Sequence, residues 1–443
     1  MGRRDALALA GVVAAGAILF ARGLDRPTNY DEGVYLASLD ALRHGQSLGT
    51  DVFASQPPGF YVLLRLLGAF AGRSVDGIRI GMLVVALVGV AAAYAVGRRA
   101  VGIAGGIAAG ALVIAAPPYA AEASRVAADV PSVALSLAAL AVAVLGLDRR
   151  STWAIAVAAA LAAAAISVKL LALPIVVPLV ILAWRRGGGA RAAAALAGGA
   201  AVVVAALAAA YAGAIGRIWD DAVTFHHDAR SVGVGESGAS RLLDYFSPRT
   251  PTTWVVAAAA IAAVAFRRRP TLWAWAVAAA IFLLLQRPLL DHHFVLLAAA
   301  LGTAAAATLT SLPGRLWLAG AAVAGVGAVA GWAQDYRQLA RTPTGEPSEV
   351  VAAADAVRHL TRPGELVVSD LPIVPYLADR RLPGDLVDTS AVRFAAGSLT
   401  RAEVEAARAR VVVVGREFRR YVPPGKSLVP AKRLGSITVF RRR

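Results

Sequence analysis

The residues best suited to chemistry fall in six short segments. Asp31-Glu32 is an acid pair just after the first apolar run. Two carboxylates there can act as a general base or hold a divalent cation; the plainer alternative is a pair of acids at a helix start, where negative charge is favoured. In Gln56-Pro57-Pro58-Gly59-Phe60-Tyr61 two prolines stiffen the backbone and present the flanking polar groups. Gln56 and Tyr61 are therefore candidate substrate contacts in what is otherwise a rigid turn. Glu122 through Pro131 holds Arg125 and Asp129 four residues apart, the spacing of a helical ion pair. Lys169 ends an apolar stretch, where a cation either reaches for headgroups or binds a lipid phosphate. The last two segments are Phe225-His226-His227-Asp228-Ala229-Arg230 and Arg287 through Asp291-His292-His293. Neither histidine pair has the i,i+4 spacing of a helical metal motif.

Composition says what must position these groups. The chain has 443 residues, 58% hydrophobic and only 16% charged. A soluble protein would carry about a quarter charged residues. Apolar runs recur from Leu7 to Val329, and about 20 apolar residues span a bilayer. Alanine dominates the runs, which favours close helix packing. There is no cysteine, so disulfides, thiolate metal sites and cysteine nucleophiles are excluded. The net charge of +17 does not point to nucleic acid, because the arginines sit in short clusters between apolar runs. The clusters are Arg3-Arg4, Arg98-Arg99, Arg149-Arg150, Arg185-Arg186 with Arg191, Arg267-Arg268-Arg269, and Arg315. Short basic loops stay in the cytoplasm, so they serve as topology markers.

The markers predict an α-helical polytopic protein of the plasma membrane with about 11 transmembrane helices and a cytoplasmic N-terminus. The predicted helices run roughly 6–21, 78–96, 101–116, 131–147, 153–171, 173–184, 192–214, 253–266, 272–286, 289–309 and 316–332. Residues 1–333 then form the membrane module, with long outer loops at 22–77 and 215–252. Long loops in a compact architecture are usually functional. Val34–Arg43 is an amphipathic helix suited to the interface, and Gly59–Phe70 is too short for a full span, so it reads as interfacial or re-entrant. Residues 334–443 are charged and mixed in pattern, and read as a small α/β domain outside the cytoplasm. Within it, Ser348–Leu360 is a helix, Leu366–Ser369 a strand, and Thr400-x-x-Glu403 a capping box opening a helix to Arg410. Val411–Val414 and Ile437–Phe440 are further strands. No internal repeat or phosphate loop is evident.

The order of these elements resembles one family. An acid pair after the first helix (Tyr30-Asp31-Glu32), the Gln56-Pro57-Pro58 turn, Arg73 through Arg79, Arg125–Asp129 and Lys169 are similar to the pattern of the GT-C membrane glycosyltransferases. The relevant branch holds the protein O-mannosyltransferases and the lipid A aminoarabinose transferases. The resemblance implies a GT-C fold and a sugar donor carried on a polyprenyl phosphate. It implies inverting, metal-dependent or metal-assisted transfer to an acceptor glycan, lipid or protein on the outer face, with no nucleotide cofactor. It makes Asp31 the general base, with Glu32 beside it. Arg125, Lys169, Arg230 and Arg287 are the candidate cations for the donor phosphate. Glu32 or Asp129 would orient the acceptor or a metal, and Gln56, Tyr61, Asp129, His226, His227 and His292 are candidate substrate contacts. One departure is clear: the lipid A branch often has a lysine before the Pro-Pro, where this chain has Gln56. A transporter would show matched broken helices in two halves. A scaffold or receptor would not need phosphate-type cations and acids gathered on one face.

Overall fold

The computed structural model describes residues 2–146, 151–185, 189–232, 238–247 and 249–443. The basic markers Arg149, Arg150 and Arg186 lie outside the described residues. The chain divides into two compact units. The first comprises Met1–Leu24, Arg79–Ala209 and Gly235–Thr342; the second comprises Asp25–Ile78, Ala210–Val234 and Pro343–Arg443.

The first unit is a bundle of apolar helices. Among the described residues five helices are long and apolar enough to cross a membrane: Arg3–Ala21, Val75–Val101, Gly189–Ala210, Asp291–Leu309 and Leu316–Arg341. Shorter apolar helices accompany them, among them Ile103–Ile114, Asp129–Leu145, Thr152–Val168, Pro251–Phe266 and Pro270–Leu285. The span at Asp291–Leu309 is central, with 94% of its apolar window buried. Its run of alanines lets neighbours approach on every side. The reverse holds for Gly189–Ala210, which is apolar yet leaves Val202 68% and Val204 61% exposed. Water would penalise such a surface, whereas hydrocarbon does not. Close crossing is also built in at Gly97 and Gly105, where a Cβ on either would strike the other's carbonyl. Leu316–Arg341 outruns the predicted end at Trp332 by more than two turns; it continues through Asp335, Tyr336 and Leu339, which still pack inward.

The second unit is wider than the segment 334–443 expected to stand as a domain. It gathers nearly all of the first long loop and the first part of the second with the C-terminal residues, while the rest of the second loop, from Gly235, belongs to the first unit. A four-stranded sheet holds it, with β1 Val367–Ser369, β2 Val411–Val414, β3 Leu428–Leu434 and β4 Ile437–Arg442. The order is β1-β2-β4-β3, β1 pairing parallel to β2 and the other pairs antiparallel. The central β2 is four valines, all buried. Strand β3 escaped the sequence reading because its residues are mostly exposed and it carries Pro430, as an edge strand can. Just past β1, buried Asp370 accepts N–H bonds from Gly415 (2.6 Å) and Phe418 (2.8 Å). Burial pushes its carboxyl up, against the pull of those N–H groups.

Side chains tie the first loop into this unit. Tyr30 Oη donates to Asp388 (3.0 Å) and accepts from the Thr389 N–H (2.8 Å). Arg73 pairs with Asp40, donates to the Tyr376 carbonyl (3.0 Å) and lies 4.7 Å above the Tyr376 ring. The predicted helix Ser348–Leu360 and the Thr400–Glu403 capping box are both present, although the capped helix stops at Ala406. Arg408 adopts a left-handed φ of 45°, which ends the turn before β2. Thr400→Ala should lower stability by about 1 kcal/mol, read as an earlier thermal midpoint, because the Glu403 N–H loses its Oγ1 acceptor and the hydroxyl's own bond to the Glu403 carboxylate is lost.

Candidate active site

The helix Asp129–Leu145 begins at Asp129, which is only 3% exposed. A buried carboxylate needs a partner, and the partner is Lys169, whose Nζ donates to Asp129 Oδ1 at 2.8 Å. Lys169 is 9% exposed, and its backbone is extended at the break between the helix Thr152–Val168 and the 3-10 turn Leu170–Ile175. That break stops the helix, so the ammonium turns inward to Asp129 instead of reaching for headgroups. Arg125 is not Asp129's partner. Residues 123–128 are non-helical, so the four-residue spacing does not place the two together. Arg125 instead lies 3.8 Å from Glu122.

His292 and His293 join Asp129: one ligand atom from each of the three lies within 4.8 Å of the others. The two rings meet edge to face at 4.4 Å. Both belong to a 3-10 turn, Asp291–His293, that leads into the central helix Phe294–Leu309. Adjacent histidines on such a turn converge without i,i+4 spacing. These residues make a candidate metal site with a carboxylate and two imidazoles, a donor set suited to zinc and its neighbours. Two of the donors are already engaged. Asp129 holds the Lys169 ammonium, and His293 Nδ1 accepts the Leu290 N–H at 3.2 Å. The arrangement is that of a weak cation site, since a metal there would meet a neighbouring positive charge.

His292 also lines a cavity of about 450 Å³ in the same unit, with Glu122, Arg241, Asp244, Tyr245 and Asp291 around it. Arg241 Nη1 donates to Asp291 at 2.8 Å, and the Tyr245 ring stacks on Phe294 at 4.8 Å. The volume suits a sugar-sized ligand. Arg241 and Asp244 escaped the sequence reading; the signal available was their shared polar face on the short amphipathic helix Gly238–Tyr245. Arg287 belongs to this unit and is exposed.

The remaining candidates lie in the second unit. Asp31 is half-buried in the first turn of the helix Tyr30–Arg43. Glu32, fully buried, forms a capping box with Asn29: its N–H donates to Asn29 Oδ1 at 2.8 Å, and its carboxylate accepts the Asn29 N–H. The helix-start reading of the acid pair thus accounts for Glu32, and Glu32 is outside the three-donor cluster. Gln56 is buried and donates to Tyr35 Oη at 3.1 Å, and the buried Tyr61 hydroxyl faces Ser55 at 3.4 Å. Asp221 accepts the Ala54 N–H at 3.0 Å and so anchors the approach to the Pro-Pro turn; burial pushes its carboxyl up. His226 packs edge-on against Phe225, while His227 and Arg230 are exposed.

Residues 55–213 match the family model described as dolichyl-phosphate-mannose-protein mannosyltransferase. No curated protein matches the sequence significantly. Among solved structures, ArnT from Cupriavidus metallidurans bound to undecaprenyl phosphate superposes with a TM-score of 0.72 at 16% identity, covering 98% of this chain and 97% of that one. The oligosaccharyltransferase of Archaeoglobus fulgidus in the apo form gives 0.58 at 12% identity, over 93% of this chain and 70% of that one. Its complex with Zn and sulfate gives 0.56 at 14% identity, over 92% and 68%. The fold is the GT-C fold, with a small C-terminal sheet. The chain thus shares its fold with ArnT and the oligosaccharyltransferase, and over residues 55–213 it is similar to the mannosyltransferase family model.

Proposed function

We propose that the protein is an inverting glycosyltransferase that moves a sugar from a polyprenyl-phosphate donor to an acceptor on the extracytoplasmic face of the plasma membrane. The observation that carries this reading is the buried Lys169–Asp129 pair beside His292, which itself lines a cavity of sugar size within a GT-C fold. The ArnT structure that resembles this chain holds undecaprenyl phosphate, which supports a donor of that class. A membrane-bound activated sugar also suits a compartment where nucleotide sugars are scarce.

The chemistry asks for two things. Inversion needs a base to take the proton from the acceptor hydroxyl as its oxygen attacks the anomeric carbon, and Asp31 has that role. The leaving phosphate gains charge as the glycosidic bond breaks, so it needs preorganised positive charge more than an acid. Lys169 supplies it with the N–H groups not spent on Asp129, and Arg125 and Arg287 are further cations of the first unit. A divalent cation would be held by Asp129, His292 and His293, where it would add positive charge for a phosphate. Titration calorimetry with Mn²⁺ should give weak binding in the wild type, tighter binding in Lys169→Met, and none in His292→Ala. Equal binding in all three would remove the cluster as a metal site.

The functional test is an assay of purified protein in lipid with a panel of polyprenyl-phosphate sugars. Consumption of one donor establishes the donor class and names the sugar. A folded protein that neither binds nor consumes any of them would sink the reading.

A further inference from the structure

A second cavity, of about 360 Å³, lies at the other end of the first unit. Three helices show the separation. Asp129 opens the helix on which Leu140 and Val144 wall this cavity, up to about 22 Å along the axis at 1.5 Å per residue. Lys169 precedes the segment that ends at Leu182 and Arg185. The helix Pro270–Leu285 starts at the cavity and ends just before Asp291 and His292. Nothing in the transfer chemistry uses this end.

Five arginines rim the cavity: Arg99, Arg185, Arg267, Arg268 and Arg269. No acidic residue lines it among the described residues. The remaining wall is almost wholly apolar, with Val96, Leu140, Val144, Leu182 and Leu272 prominent. Two arginines spend part of their capacity locally: Arg269 Nη2 donates to the Ala100 carbonyl (2.7 Å) and Arg185 Nη1 to Thr271 Oγ1 (3.0 Å). The Nε atoms of Arg268 and Arg269 are buried with no hydrogen-bond partner. A buried guanidinium N–H without an acceptor is costly, so it marks a place where an acceptor belongs.

The backbone agrees. Arg267 and Arg269 both have left-handed φ, 51° and 54°. That region is unfavourable for a residue with a side chain, and glycine is the usual occupant at a helix end. Arginine at both positions sacrifices local stability to place three guanidinium groups in one turn. Burial, then Arg268 and Arg99, lower the pKa of Arg269, a sign of cations crowded together.

We propose that this cavity binds the phosphate headgroup of an anionic membrane lipid, with the acyl chain laid along the apolar wall. Charge complementarity selects a phosphate. The apolar wall, at the ends of helices that cross the membrane, selects a lipid over a free ion.

The test is thermal stability of the full-length protein in detergent, titrated with phosphatidylglycerol or cardiolipin, against phosphatidylcholine and inorganic phosphate. The anionic lipids should raise the melting temperature and the other two should not. Each arginine near a charged headgroup is worth about 1 kcal/mol, so Arg268→Gln should weaken apparent lipid affinity about fivefold. Arg315→Gln, an exposed arginine outside the cavity, should leave it unchanged. Native mass spectrometry of the wild type should show anionic lipid retained, which keeps the test independent of any variant's folding. Three outcomes each overturn the proposal: no preference for anionic lipid, equal stabilisation by inorganic phosphate, or Arg268→Gln binding as tightly as the wild type.

Discussion

Lys169→Met should both destabilise the protein and abolish transfer, and the two effects should separate in a double variant. Lys169 is bonded to a carboxylate that is 3% exposed. Removing only the cation leaves Asp129 buried and unpaired, which costs about 3–5 kcal/mol in measured cases. The thermal midpoint should therefore fall sharply. Transfer should fall by about 10²–10³-fold, the usual loss when one preorganised charge-stabilising donor is removed. In Asp129→Asn/Lys169→Met the uncompensated charge is gone. Stability should largely return, and activity should not, because no cation faces the leaving phosphate. If the double variant regains activity along with stability, Lys169 is a structural residue. If Lys169→Met alone is as stable and active as the wild type, the buried pair has no role in either.

Asp31→Asn should abolish transfer with the fold intact. General-base catalysis contributes about 10²–10⁴-fold, so activity should drop by at least that range in a protein with wild-type melting behaviour. The neighbouring acid provides the contrast. Glu32 closes the capping box with Asn29, whereas Asp31 takes no part in it. Glu32→Gln should therefore lower stability by about 1 kcal/mol or less and reduce activity only in step with folded protein. A profile in which Glu32→Gln is dead and Asp31→Asn is active would reverse the two roles. Donor binding by Asp31→Asn separates loss of the base from loss of the donor site.

Much of this protein was legible in the sequence because membranes and sheets impose local rules. Apolar runs at bilayer length located the helices of the first unit to within a few residues at most ends. Ser348–Leu360 and Val411–Val414 follow directly from periodicity and β-branched content. The order of short motifs carried the GT-C resemblance, although no single motif did. What failed was whatever depends on a partner distant in the chain. Arg125 and Asp129 have the spacing of an ion pair, yet the chain between them is not helical and Asp129 takes Lys169, 40 residues away. Lys169 read as a boundary cation because its sequence neighbours are apolar; only the broken helix turns it inward. The pairs His226-His227 and His292-His293 look alike as strings. A 3-10 turn beside the start of the Asp129 helix makes donors of the second pair, while His227 is left exposed in the first. Residue type and spacing decide which helices form and which groups are available. Which buried charge meets which is decided by packing, since desolvation penalises every arrangement that leaves one alone.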